Sequence, residues 1–551
     1  MGPTVRPALL ESDNRLWQYL RRCVQVDTRT LAVFRVVVGV LVVADLLLRS
    51  RNFEFFYTDD GVVPRSLARE ATPEYAVSVY HLTTDPTLIA ALFVLQGLLA
   101  VQLIVGYRTR LATALTFLFV VSLDHHNPFV LSYADTLFRL LLFWALFLPL
   151  GERWSVDAVH RDRPPRPSVA NAASALILGQ MVYMYVTNGL IKAQSELWTG
   201  GDAAPLVFGL DEMTFFLGDS LRAFPTLLEA GGLLWFYMLV FAWLLILLRG
   251  RARMLLAGLF VGGHLAFALT VRIGAFPYVA LAGVLLFLQA QFWDDLATVA
   301  DRAGVDRTRL EHLAGRLEAL ATRFPNPRLG DEGVRQLRAR TYDLALAAVV
   351  VTVLFVAVAI AVNVAPVALE SGDGDDRPIG ERVDGEIDAT LAETTGVRQV
   401  ETAASSLGID QPIGWGVFAG PHPRTTDRYY VFPAETASGE LIDAYNERAL
   451  TYERPYDQLQ NQHGTYRERF YMNSVRRGSI DDAVPARLAE HRCERWPDDH
   501  GEELVAVNMY VVEEAVTAET IDDPANRDRE YALIYRHGCG DNQRTVIRPP
   551  T

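Results

Sequence analysis

Ala173-Ser-Ala-Leu-Ile-Leu-Gly-Gln-Met-Val-Tyr-Met-Tyr-Val-Thr-Asn-Gly-Leu-Ile-Lys192 is an apolar run that ends on the only lysine of a 551-residue chain. About 20 such residues cross a bilayer as a helix, so this stretch reads as one span of a polytopic α-helical membrane protein. The other 50 basic residues are arginine. A lysine kept where an ammonium is costly to desolvate points to a need for an amine whose proton can leave, which arginine cannot supply. Lys192 is therefore the first candidate for chemistry. The bland alternative is a lysine snorkelling at the outer interface. Asn188-Gly189 one turn earlier, Glu196 and Trp198 just after, and the Gly200-Gly201 turn argue against it, because they would loosen the helix end and fold the chain back over the site.

Half of the residues are hydrophobic. Hydropathy predicts about nine spans, near 31–48, 87–105, 111–124, 134–150, 172–192, 232–248, 254–271, 273–292 and 342–364. Arginines before the first span, at Arg108 and Arg110, at Arg153 to Arg166, at Arg249 to Arg253 and through 293–341 all fall on one side. That side is cytoplasmic, with the amino terminus, and the chain after about residue 365 lies outside. The 49–86 loop breaks the charge rule and reads as a folded excursion. No cleavable signal peptide is expected, since the first apolar stretch is long and lacks a cleavage site.

From Ala365 to Thr551 there are 35 acidic and 19 basic residues, net −16, against 30 acidic and 32 basic elsewhere, net +2. This makes nucleic acid an unlikely partner and suits a halophilic source, although GC-rich codon bias alone would also remove lysine. Residues 1–292 read as the main membrane domain, 293–341 as a cytoplasmic amphipathic helical segment, 342–364 as the final span and 365–398 as an acidic linker. Residues 399–551 read as an extracellular β-rich (α+β) domain, from strand-like runs such as Leu504-Val-Ala-Val-Asn-Met-Tyr-Val-Val512. Cys493 and Cys539 fall there, where a disulfide can persist, and Cys23 is alone in the cytoplasm.

Besides Lys192, the charged residues within spans include Arg35 and Asp45 in the first and Asp135 and Arg139 in the fourth. Their plain reading is two structural ion pairs, Arg35/Asp45 and Asp135/Arg139. His264 in the seventh span is either a hydrogen-bonded core histidine or a catalytic one. No metal site is expected, because the adjacent His125-His126 cannot chelate from one helix face.

The stretch Tyr185-Val-Thr-Asn-Gly-Leu-Ile-Lys192 with Trp198 and Gly200 resembles the lysine-tryptophan segment of the vitamin K-dependent γ-glutamyl carboxylases and the related horizontally transferred transmembrane (HTTM) domain proteins. Trp154-Ser-Val-Asp157, His264 with Arg272-Ile-Gly-Ala-Phe-Pro-Tyr278, and Phe34-Arg35 with Gly39 and Asp45 match in the same order, over roughly residues 20–292. Gly414-Trp-Gly-Val-Phe-Ala-Gly-Pro421 is similar to a segment near the start of some outer domains. The resemblance implies a carbon–carbon lyase type of enzyme. A membrane lysine deprotonates reduced vitamin K or menaquinol, dioxygen converts the quinol to its epoxide, and carbon dioxide adds to an extracellular peptide or protein glutamate. It implies Lys192 and His264 as catalytic residues, and Trp154, Asn188, Trp198 and Phe276 as cofactor-binding.

The chain also departs from the pattern. Where the carboxylases carry an asparagine-asparagine-histidine segment, this chain has Leu131-Ser-Tyr-Ala-Asp-Thr136, and the spacing from lysine to tryptophan is one residue longer. Quinol deprotonation survives these changes better than carboxylation. The alternative is a non-catalytic membrane anchor or binding protein displaying the outer β domain; a transporter is disfavoured, since the broken helices of two repeated halves are missing.

Overall fold

The structure, a computed structural model, describes residues 15–325, 332–369, 379–394, 396–410, 415 and 422–550. The amino-terminal body is helical, and local chemistry sets its helix ends. Helix α1 (Thr28–Arg49) starts where the Asp27 carboxylate accepts the Arg29 amide, and α2 (Pro86–Val105) starts on a proline capped by Asp85 and stops at Gly106 in the left-handed region. After α3 (Thr109–His126), reciprocal side-chain and backbone bonds open α4 (Tyr133–Ala145) at Ser132/Asp135 and α5 (Ala172–Lys192) at Asn171/Ser174. The body continues with α6 (Pro225–Val240), α7 (Gly250–Thr270), α8 (Phe276–Leu285) and α9 (Ala290–Arg302).

Each of the nine predicted stretches contains helix. Five helices, at Thr28–Tyr57, Pro86–Val105, Ala172–Lys192, Gly250–Thr270 and Ala339–Val364, are long and apolar enough to cross a membrane. The α8–α9 pair, bent by 99°, makes up to a sixth. Helices α4 and α6, with 13 and 16 residues, are shorter than a straight span. Leu98, Leu234, Leu255 and Val358 are each more than half exposed on the outside of the body. A belt of such side chains suggests a membrane protein.

Two predicted boundaries look different in the structure. Helix α10 (Arg307–Ala321) lies in the amphipathic segment, but the next helix, α11 (Glu332–Leu369), runs without a break through residue 342 into the final apolar stretch. The stretch read as linker contains α12 (Ile379–Glu393), where apolar residues recur every fourth position from Ile379 to Leu391. Asn363 Nδ2 donates to Thr390 Oγ1 at 3.1 Å and holds α12 against α11. The acidic run Ser371–Asp376, and all of Gly414–Pro421 except Trp415, lie outside the described residues. The 49–86 excursion is folded, with Tyr57 and Tyr80 fully buried.

The carboxy-terminal domain is a sheet backed by two helices. Strands β1 (Thr426–Val431) and β2 (Pro433–Thr436) lie end to end along one edge of β4 (Leu504–Ala515), and β5 (Arg529–Gly538) covers the other edge. β3 (Leu441–Asp443) extends the sheet beyond β2. Helix α13 (Tyr466–Arg476) reaches down to Pro128–Val130 of the body, and α14 (Ala483–His500) packs on the sheet. Cys493 on α14 and Cys539 after β5 form a disulfide with Cα atoms 5.5 Å apart. Cys23 is free and buried.

Candidate functional site

Lys192 is the last residue of α5 and is 1 % exposed. The chain turns after it, and the short helix Glu196–Gly200 brings the face of Trp198 to 4.1 Å from Nζ. Gly201, at φ 99°, makes the turn. Asn188-Gly189 does not loosen the helix as expected, because α5 runs unbroken to Lys192. Gly189 serves instead for close approach, since a Cβ there would sit 2.7 Å from the Val240 amide of α6. Glu196 points to the exterior.

One turn before Lys192, Asn188 donates through Nδ2 to the carbonyl of Trp415, a fully buried residue of the carboxy-terminal part. Tyr185, a turn earlier still, shares a 2.7 Å hydrogen bond between its hydroxyl and Nε2 of His264 on α7. His264 is completely buried, and its other ring nitrogen has no hydrogen-bond partner among the described residues. Trp235 and Phe276 lie 5.3 and 6.1 Å from it, ring to ring. Tyr185, Asn188, Trp235, Phe267 and Phe276 line one cavity of about 20 Å³, room for about one water. Five expected site residues thus lie along the last two turns of α5 in two places: Lys192 with Trp198 at its end, and Asn188, His264 and Phe276 around Tyr185.

Trp154 is not among them. Its side chain is 59 % exposed beside Trp293, while its carbonyl accepts Arg35 Nη2 at 2.5 Å. It sits with the start of α1, next to the start of α5, whose 21 residues put Lys192 about 30 Å away along the helix. The Trp154–Asp157 motif is therefore a joint rather than a cofactor site. The Asp157 carboxylate accepts the Arg108 and Thr109 amides at 2.8 and 2.7 Å, opening α3, and Arg35 ties the joint to α1.

The two expected ion pairs are also corrected. Arg35 donates to carbonyls of Ile104, Leu150, Arg153 and Trp154, not to Asp45, which lies ten residues and so about 15 Å further along the helix. Asp45 pairs with Arg49 and with Arg467 of α13. Asp135 pairs with Arg467 at 2.9 Å and Arg49 at 3.4 Å, whereas Arg139 pairs with Asp124 at 3.3 Å. Arg49 also meets Asp124 at 2.7 Å. Burial opposes the charge of Arg467, but Asp135 and Asp45 outweigh it and hold the guanidinium firmly protonated. Four guanidinium groups, of Arg49, Arg51, Arg272 and Arg467, and the carboxylates of Asp45, Asp124 and Asp135 line a second cavity of about 450 Å³. Its other walls are apolar residues of α1, α4 and α8, with Thr465 and Tyr466 above.

The carboxy-terminal domain is fastened to the body at another point as well. The Asp427 carboxylate accepts the amides of Asp211 and Glu212 at 2.8 and 2.9 Å, and Arg527 bridges Asp427 and Asp211. Burial and the neighbouring Asp211 push Asp427 up to about 6. Burial would raise Glu212 too, but Arg424 and Arg469 outweigh it and hold the carboxyl at about 2. Arg467, Trp415, Tyr185 and Asp427 were not singled out as site residues from sequence. Only an unusually polar α13, Tyr466-Arg-Glu-Arg-Phe470, hinted at the first.

His125 and His126 close α3 away from the Lys192 pocket, with His126 stacked on Tyr57. Among the described residues no group of three or more His, Cys, Asp or Glu is placed to hold a metal ion.

Comparison with known proteins gives one match: residues 24–293 fit the family model described as the HTTM domain. This segment is an HTTM domain. The HTTM domain is linked to vitamin K-dependent carboxylase-like proteins. No curated protein and no solved structure matches the chain. The HTTM segment contains both cavities' helices, α1 to α8, and ends four residues into α9, so the Lys192 pocket belongs to the domain while Trp415 and Arg467 are brought to it from outside.

Proposed function

We propose that this HTTM protein is a multi-pass cell-membrane enzyme of the carboxylase-like type, with Lys192 as the base that takes a proton from a reduced naphthoquinone. The observation that carries this reading is the burial of Lys192 under an indole face. Its side chain is 1 % exposed with the Trp198 ring over Nζ, and Tyr185, two turns earlier on α5, holds His264, whose other ring nitrogen has no hydrogen-bond partner among the described residues. An amine, unlike a guanidinium, can give up its proton and serve as a general base. The orphaned His264 nitrogen offers a hydrogen-bond partner to a hydroxyl-bearing ring. A reduced naphthoquinone bound there would supply the acidic hydroxyl and, with dioxygen and carbon dioxide as co-substrates, the oxidation that drives glutamyl carboxylation.

The chain's own groups have distinct parts. Lys192 Nζ accepts the proton, and Trp198 keeps water from it. Tyr185 fixes the ring of His264 through Nε2 and leaves Nδ1 without a partner among the described residues. Asn188 is engaged with Trp415 and positions the carboxy-terminal chain over the pocket. The cavity lined by Tyr185 and Asn188, at about 20 Å³, holds about one water and no bicyclic ring, which is the observation favouring the second reading, a non-catalytic anchor displaying the outer domain.

One assay separates them. Reduced menaquinone is supplied in oxygen to the full-length protein, and the epoxide is measured for wild type, Lys192→Ala and Lys192→Arg. Epoxide from wild type alone is expected; equal product from all three, or none from wild type, overturns the assignment. Labelled carbon dioxide incorporated into glutamyl peptides tests the second half of the chemistry.

The nine-span arrangement with a cytoplasmic amino terminus is part of the same proposal. It is supported by the one-sided arginines and by the disulfide in the 422–550 domain. Protease added to intact cells should reach that domain.

A further inference from the structure

At the arginine-rich end of the helical body a cavity of about 720 Å³ is lined by Arg22, Arg29, Arg153 and Arg249, with Asp27 as its one acid. We propose that this cavity binds a phosphate group, as carried by the headgroup of an anionic membrane lipid or by free phosphate. It rests on the membrane reading given above but not on any chemistry at Lys192, so either proposal can fail alone.

The charge balance is the first argument. Asp27 is engaged by Arg29, through Nη2 at 2.8 Å, and Arg29 also reaches Asp294 at 3.3 Å. That pair is self-contained. Among the described residues, the guanidinium groups of Arg22, Arg153 and Arg249 meet no carboxylate; Arg153 donates through Nε to Thr28 Oγ1 at 2.7 Å, and Arg249 lies 4.2 Å over the ring of Tyr19. These contacts orient the two forks without neutralising them. Three converging cations with planar donors are suited to the tetrahedral oxygens of phosphate. Helices α7 and α9 begin at the same cavity, at Gly250 and Ala290, and add the positive ends of their dipoles.

The surroundings favour the lipid as the source. Two lining arginines lie over aromatic rings, Arg249 over Tyr19 and Arg29 over Trp293, with Trp154 packed on Trp293, and rings with one polar edge concentrate at headgroup depth. Below Arg249, Trp243 and Leu247 are each more than 40 % exposed, an apolar path for an acyl chain. Basic pockets between helices at this depth are a recurrent way to hold anionic headgroups.

The test titrates the full-length protein in neutral detergent, at constant ionic strength, with dihexanoyl phosphatidylglycerol, dihexanoyl phosphatidylcholine or inorganic phosphate. Binding is read by Trp154 and Trp293 fluorescence and by native mass spectrometry. Phosphatidylglycerol should bind at least tenfold more tightly than phosphatidylcholine, and the Arg153→Gln/Arg249→Gln double variant should lose at least tenfold. Arg251→Gln, which removes an exposed arginine paired with Asp295, should bind like wild type. If the double variant does not fold, Arg22→Gln replaces it, with about a threefold loss expected. Competition by inorganic phosphate at similar affinity assigns the site to the free anion; failure to compete assigns it to the lipid. Equal affinity for the two lipids, or a folded variant that binds like wild type, overturns the proposal.

Discussion

The small cavity at Tyr185 and Asn188, on the α5 turns before Lys192, and the cavity at Asp135 are neighbours, for Phe276 lines one and Ala275 the other, yet they are built on opposite principles. Around Asp135 three arginines and three aspartates interlock, Arg49, Arg139 and Arg467 with Asp45, Asp124 and Asp135, and Arg467 comes from the carboxy-terminal domain. Around Lys192 and His264 the walls are aromatic, and polar groups are spaced one to a helical turn. A compensated cluster fixes a shape, since moving any member exposes another buried charge. An amine and an imidazole among rings cost the fold more and contribute less to holding it, which is the arrangement expected of groups kept for what they do.

The contrast can be broken most sharply at Lys192. Lys192→Arg replaces an amine that can take up a proton with a guanidinium that stays charged, so turnover to the quinone epoxide should fall by about 100-fold to 10,000-fold with an unchanged thermal melt. A melt that drops together with activity would mean that Lys192 belongs with the structural charges after all.

In the charged cavity the expected response is the reverse. Arg467→Ala leaves Asp45 and Asp135 short of a partner, and should destabilise domain docking by about 3 kcal/mol, read by urea titration and by faster proteolysis between residues 422 and 550. Epoxide formation per folded molecule should change less than in Lys192→Arg.

Acid should loosen the domain junction. The folded carboxyl of Glu212, at about 2, lies below its ordinary value of 4.5, so its contribution is present above pH 4.5 and is lost as pH falls toward 2. His463, pushed down to about 3 by burial, adds a loss in the same direction from pH 6.5 downward. Asp427 acts oppositely: its raised value favours the junction below about pH 4 and this is lost as pH rises through about 6. Glu212→Gln should therefore flatten the dependence of Tm on pH between 4.5 and 2, removing about 3 kcal/mol of pH-dependent stability. The smallest effect is expected of Tyr185→Phe. Loss of its bond to His264 should cost about 1 kcal/mol in stability, with a larger proportional change in turnover if His264 needs orienting.

Much of this architecture was legible in the sequence. The stretches of helix, the lysine at the end of α5, its proximity to Trp198 and the presence of a separate α+β domain all follow from local pattern, because helix periodicity and turn residues act over a few positions. The ion partners were not legible. Arg467 meets Asp45 across 422 residues, and the pairing of Arg35 with four carbonyls leaves no trace in charge spacing. Trp154 was misplaced for a related reason: a motif shared with a family marks a position that matters, without saying whether it matters to chemistry or to a joint. The α12 helix hid inside an acidic stretch, where composition masked an every-fourth-residue repeat.

Asp427 carries one more consequence. It holds the body through two main-chain amides rather than through long flexible side chains, and Arg527 behind it is fully buried. Dissolved ions screen charges across water, but they have little hold on contacts from which water is shut out. The joint should keep its grip equally in dilute buffer and in brine, so that a pull on the sheet is transmitted to the 203–222 segment as through a weld.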